Sequence, residues 1–200
     1  MRLLLAALLP ALLLPAADTL SQGERDRAMS HLHATRKLLT DSATGLSAKQ
    51  LAFQPGAGQW SIGDIVEHLA ETESFLFNIL TKQVMAAPAA PEKKALVQGK
   101  DDAILKVVAA REQKVKAPEP LVPNKKFATT AAALAAFNQR RLGTVKYVED
   151  TKDDLRSHFM NGPDGNPMDG YQVILLISAH TERHVNQIRE IKAAAGFPKK

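Results

Sequence analysis

Apolar residues recur at helical spacing in four long stretches of this chain, and the last stretch shows the pattern most plainly. In Tyr171–Ala194 a stripe of Tyr171, Ile174, Leu175, Ser178, Val185, Ile188 and Ile191 follows one side of a helix, as expected of an amphipathic helix packed against partners. In residues 20–43, Ala28, Leu32, Thr35, Leu38 and Leu39 share a face and the charges fall largely on the others. A second helix is predicted from Trp60-Ser61 to about Met85, with Ser61 as N-cap and Asp64 in its first turn. Its buried stripe is Ile65, Leu69, Thr72, Phe75 or Leu76, Ile79 and Leu80. The third, Thr129–Phe159, opens on a Thr cap and an alanine-rich run. It continues through Leu134, Phe137, Arg141, Thr144, Val145, Val148, Thr151, Leu155 and Phe159. Gly143 costs helix propensity there and is read as a point of close helix approach.

The connections are punctuated by turn formers. Gln54-Pro55-Gly56-Ala57-Gly58 breaks the first connection, and Asn161–Gly170 returns the chain to the last helix. Between the second and third long helices, Pro88 and Pro91 interrupt regularity before a short amphipathic helix, roughly Asp101–Lys114. Pro118, Pro120 and Pro123 then forbid helix until about Lys126. No strand pattern and no internal repeat is visible. The expected fold is all-α, a four-helix bundle with a short extra helix between the second and third long helices.

Composition changes this picture mainly at the N-terminus. Arg2, the apolar run Leu3–Leu14 and the small residues Ala16 and Ala17 form a signal-peptide pattern over residues 1–17, leaving 18–200 as one mature domain. The run is shorter than the ~20 residues a membrane helix needs, and Pro10 with the small residues after it favours cleavage over an uncleaved anchor. A periplasmic or secreted protein follows, with no membrane attachment once the signal is removed. There is no cysteine, so disulfides, lipidation at a signal cysteine, thiol nucleophiles and thiolate ligands are all excluded. The net charge of +5 is spread through mixtures such as Glu24–Arg27 and Lys152–Arg156 without interleaved aromatics. That reads as solvated helix surface and not as a nucleic-acid stripe.

The candidate chemistry is in the histidines. His180 and His184 lie about 40° apart in azimuth and about 6 Å apart along the axis, so two imidazoles can share one ion. His68, between Ile65 and Thr72, brings a third apolar-flanked imidazole on another long helix, and bundles build metal sites from facing helices in this way. His31 and His33 are about 160° apart and cannot chelate together, so both are read as surface or boundary residues. Glu182 is two residues from each histidine of the pair and faces away from both, which excludes a zincin arrangement. Asp64 and Glu71, each a turn from His68, are candidates to orient its ring, with ordinary capping or surface charge as the alternative. His158 is read as a helix C-terminal cap. Trp60 is read as a helix-start anchor, and Arg183 and Gln187 as residues of a pocket mouth or of the solvated surface.

Trp60-Ser61-Ile62-Gly63-Asp64-Ile65-Val66-Glu67-His68-Leu69 resembles the start of the second helix of the DinB superfamily. His180-Thr181-Glu182-Arg183-His184-Val185-Asn186-Gln187-Ile188 resembles its closing helix, and Phe137 to His158 its third. The resemblance covers essentially the whole mature chain and implies a bundle in which His68, His180 and His184 hold one divalent metal. Family members similar to this chain include metal-dependent S-transferases that add a low-molecular-weight thiol to an electrophile, and mycothiol-dependent isomerases. The export signal departs from the cytoplasmic members.

Three histidines leave a fourth position open in a zinc site, and neutral imidazole suits zinc, nickel, iron or copper, so the ion is undecided among them. Such an ion keeps its full charge and lowers the pKa of a water or a thiol. The expected function is an exported metal-dependent transferase or hydrolase of unknown small-molecule substrate. The alternatives are a non-catalytic metal-binding or structural bundle and a metal-free interaction module. A monomer or a homodimer is expected.

Overall fold

Each of the four long helices starts where a side chain satisfies its free backbone N–H groups. In the computed structural model, which describes residues 19–112 and 115–199, α1 (Gln22–Ala43) is closed by a capping box of Ser21 with Glu24. The short α2 (Ala48–Ala52) follows, closed by Ser47 with Gln50. Next come α3 (Ile62–Ile79), closed by Ser61 with Asp64, then α4 (Lys94–Val97), α5 (Asp101–Ala109) and α6 (Thr130–Asp150), capped by Thr129. A short hairpin, β1 (Phe159–Asn161) and β2 (Pro167–Asp169), leads into α7 (Gly170–Ala193), closed by Asp169 with Gln172. The signal segment expected at residues 1–17, and Lys114, lie outside the described residues.

The helices α1, α3, α6 and α7 form the bundle. Along α1 the apolar burial passes from Ala28 and Leu32 to Leu39 and Ala43. Along α7 it passes from Tyr171–Ile177 to Val185–Ile191, in the same order of core halves. The helices α3 and α6 traverse those halves in the opposite order, from Ile62–Ala70 to Leu80 and from Ala133–Phe137 to Val145–Val148. So α1 runs parallel to α7, α3 runs parallel to α6, and the two pairs are antiparallel. Within the bundle each helix packs chiefly on two of the other three, α1 and α3 lying across a diagonal with little contact. Because α3 and α6 are parallel, the chain must travel the bundle's length, about 30 Å, to return. Residues 85–129, including α5 packed on α7, make that crossover.

Several boundaries differ from the sequence expectation. The second long helix loosens into a π-helical turn at Leu80–Val84. The crossover helix ends at Ala109, and Glu119–Leu121 is a 3₁₀ turn. The third long helix stops at Asp150, nine residues early, because Thr151 turns extended and its hydroxyl accepts from the Asp153 N–H, a local bond that competes with helix. Phe159 therefore falls in a strand. Each strand of the hairpin is three residues long, too short to show alternation in sequence. Gly143 is exposed, with nothing near its missing Cβ. Close approach occurs instead at Gly170, where a Cβ would meet Leu155 O and Cδ2 at 3.0 Å.

Candidate metal centre

Between the two apolar halves of the bundle lies a layer of polar side chains, and the histidines occupy its α3–α7 side. His68 comes from α3, and His180 and His184 from consecutive turns of α7. His180 Nε2 is 3.4 Å from His68 Nε2 and 3.2 Å from His184 Nε2. One ligand atom from each ring lies within 4.8 Å of the other two. A tetrahedral ion with Zn–N bonds of about 2.0–2.1 Å separates its ligand nitrogens by about 3.3–3.4 Å, close to the two short distances.

The tautomers follow from what holds the far side of each ring. His68 Nδ1 is 2.9 Å from the Leu121 carbonyl, which can only accept, so Nδ1 carries the proton and Nε2 the lone pair. His184 Nδ1 donates to Gln187 Oε1 at 2.9 Å, and the same oxygen accepts from Arg111 Nη1 at 3.3 Å. Burial disfavours protonation throughout. It lowers the His184 pKa to about 3 and the His68 pKa below the usual range, and the His180 pKa is lowered well below that range by burial, with His184 and His68 adding to the effect. Two bare lone pairs thus face a third nitrogen that can donate to only one of them. A cation at their centre satisfies all three, so the donor set fits a divalent ion.

The walls of the site come from both sequence-predicted and unpredicted residues. Trp60 lies 4.8 Å from the His68 ring and 6.1 Å from the His184 ring, centroid to centroid, so it covers these imidazoles as well as anchoring the start of α3. Thr72 Oγ1 is 3.4 Å from His68 Nε2. Next in the polar layer is a bidentate pair: Arg141 Nε and Nη2 donate to Glu73 at 2.8 and 2.7 Å, with Arg141 0% and Glu73 3% exposed. Arg141 also donates to Thr35 Oγ1 of α1 and Thr181 Oγ1 of α7, so one guanidinium joins all four bundle helices beside His180. Sequence reading places Arg141 in a buried stripe but misses Glu73. The available signal is the arginine itself, since a charge in an apolar stripe requires a buried counter-charge.

The orienting role expected of Asp64 and Glu71 is corrected. Asp64 Oδ2 accepts from the Ser61 N–H and hydroxyl, and Glu71 pairs with Arg140 and Lys126. The rings of His68 and His184 donate their Nδ1–H groups to the Leu121 carbonyl and to Gln187 Oε1 instead. Gln187 thus turns its oxygen inward, while Arg183 donates to the Ala110 carbonyl at the end of α5. His158 is eight residues beyond α6 and caps nothing there. Its Nδ1 donates to Ala87 O at 2.7 Å, just past the second long helix. His31 and His33 sit on α1 away from the triad, as boundary and surface residues.

Comparison with known proteins agrees with this architecture. YuaE of Bacillus subtilis (strain 168), an uncharacterised protein, is 25% identical over 164 residues, spanning 82% of this chain and 96% of YuaE. The fold matches that of YfiT from Bacillus subtilis with a TM-score of 0.57 at 17% identity, over 90% of this chain and 93% of YfiT. That protein is described as a probable metal-dependent hydrolase with an unusual four-helix bundle topology. The DinB superfamily pattern matches residues 31–188, from α1 to the last turns of α7, and the chain belongs to the DinB superfamily.

Proposed function

We propose that the protein is an exported metal-dependent hydrolase or transferase that holds one divalent ion through His68, His180 and His184 and acts on a small molecule. One observation carries this reading: three Nε2 atoms converge while the Nδ1–H groups of His68 and His184 are already committed to oxygen acceptors. When bound, the ion supplies a Lewis acid that makes a water or a thiol acidic enough to attack near neutral pH. The chain's own residues hold the rings in register through Leu121 and Gln187, shield them with Trp60, and fix α7 against the bundle through Arg141 and Thr181. His180 is the most exposed of the three histidines and marks the side from which a substrate approaches. The description of YfiT as a probable metal-dependent hydrolase points the same way. Zinc, nickel and iron all suit three imidazoles.

A metal staple without turnover is the second reading, favoured by the burial of His68 (3% exposed) and His184 (7%). Metal analysis of the purified mature protein beside His184→Ala tests both. About one equivalent in the first and almost none in the second is expected, and equal, near-zero metal in both rejects the site. Turnover of ester, amide or thiol-plus-electrophile substrates by the loaded protein then separates enzyme from staple.

A further inference from the structure

Glu67 precedes His68 on α3 and is buried (8% exposed), yet it takes no part in the ion pair at the bundle's centre. Its Oε1 accepts from the backbone N–H of Asn124 at 2.7 Å and of Lys126 at 3.2 Å. Between these donors stands Lys125 at φ 64°, the only non-glycine residue with positive φ among the described residues. L side chains disfavour that conformation. Here it turns two N–H groups onto one carboxylate oxygen, as in an anion-binding nest. The same strand of chain carries Leu121, whose carbonyl accepts from His68 Nδ1–H. Lys126 Nζ closes the loop by donating to Pro120 O and Glu71 Oε2, both at 3.0 Å. Residues 120–126 are thus clasped to one side of α3 by Glu67, His68 and Glu71.

We infer that Glu67 is a positioning residue for the metal centre. By gripping the backbone at Asn124 and Lys126 it holds the Leu121 carbonyl against His68 Nδ1–H, and so sets the tautomer and direction in which His68 offers Nε2. This rests on the reading of His68 as a ligand. The carboxylate acts at a distance from the ion, and its effect is transmitted through the backbone of residues 121–126.

The test uses the mature protein with Glu67→Met, which keeps the volume and removes the acceptor, and Glu67→Gln, whose carbonyl oxygen can still accept both N–H groups. Imidazole ¹⁵N NMR of the metal-free proteins reports which His68 nitrogen carries the proton. Zn²⁺ affinity is measured by chelator competition, with thermal melts to confirm folding. Expected for Glu67→Met is a His68 no longer confined to the Nδ1–H tautomer and a Zn²⁺ affinity lower by about 10–100-fold, the usual effect of losing a group that orients a ligand. Glu67→Gln is expected to restore both to near wild type. A folded Glu67→Met protein with wild-type tautomer and affinity overturns the inference while leaving the metal reading intact. Failure of the wild-type protein itself to bind Zn²⁺, Ni²⁺ or Fe²⁺ overturns the metal reading and the role of Glu67 together. Should Glu67→Met not fold, Glu67→Asp, one methylene too short to reach both N–H groups undisturbed, carries the same measurements.

Discussion

Cutting the Arg141–Glu73 pair tests the claim that the polar layer is a buried electrostatic joint. Both groups are out of water, and Arg141 is held by two bonds to Glu73, one each to Thr35 and Thr181, and a further bond to Leu32 O. Removing one partner of a buried pair leaves an uncompensated charge and costs about 3–5 kcal/mol. Glu73→Leu should fall near the lower end, because Arg141 keeps hydroxyl and carbonyl acceptors on three sides. Arg141→Met should fall near the upper end, because among the described residues only the Thr144 hydroxyl remains to serve the Glu73 carboxylate. For a domain of this size each kcal/mol shifts the melting temperature by about 2–4 °C, so losses of about 6–20 °C are expected. The double variant removes both charges. Thr35 and Thr181 can still donate to the carbonyls of His31 and Ile177, four residues back, so the double variant should lose less than about 3 kcal/mol. Urea unfolding of the two single variants and the double variant, followed by far-UV circular dichroism, gives the coupling directly. Additive losses, or a single variant within about 0.5 kcal/mol of wild type, would refute the electrostatic account.

Further outcomes follow from the same geometry. The metal-free protein should lose stability as pH falls below 6.5, because the folded pKa values of the triad are depressed and the unfolded chain binds protons first; the loss continues toward about pH 3 for His184. A variant with all three histidines replaced by alanine should show a flatter profile over that window in urea titrations. Trp60 is the chain's single tryptophan and lies against two of the rings, so Ni²⁺ or Cu²⁺ should quench its fluorescence with a one-to-one end point, absent in His180→Ala. Gly170→Ala should destabilise by about 1–3 kcal/mol through contact with Leu155, whereas Gly143→Ala, with open space and helical backbone, should stabilise by up to about 1 kcal/mol. Equal effects in chemical denaturation would contradict the packing described for Gly170.

The four long helices were legible because burial in a bundle imposes a 3.6-residue period over many turns, and capping residues such as Ser61 and Thr129 mark starts locally. The pairing of His180 with His184 was legible for the same reason, since one helix fixes their spacing. The hairpin and the early end of α6 were not, because three-residue strands and a Thr–Asp turn carry too little pattern to outweigh a neighbouring apolar run. Gly143 misled because sequence shows that a side chain is missing but not which neighbour, if any, needs the space.

For the candidate site, the chain alone determined the donor types on offer, the absence of thiolates and the helices on which the histidines stand. Only the tertiary structure decided that α3 and α7 are antiparallel neighbours, which brings His68 onto the same point as the α7 pair. It also decided that Leu121, Gln187 and Glu73, and not Asp64 or Glu71, complete the surroundings. Hydrogen-bond partners separated by 53 and 68 residues are chosen by how helices lie against one another, and local spacing holds no information about that.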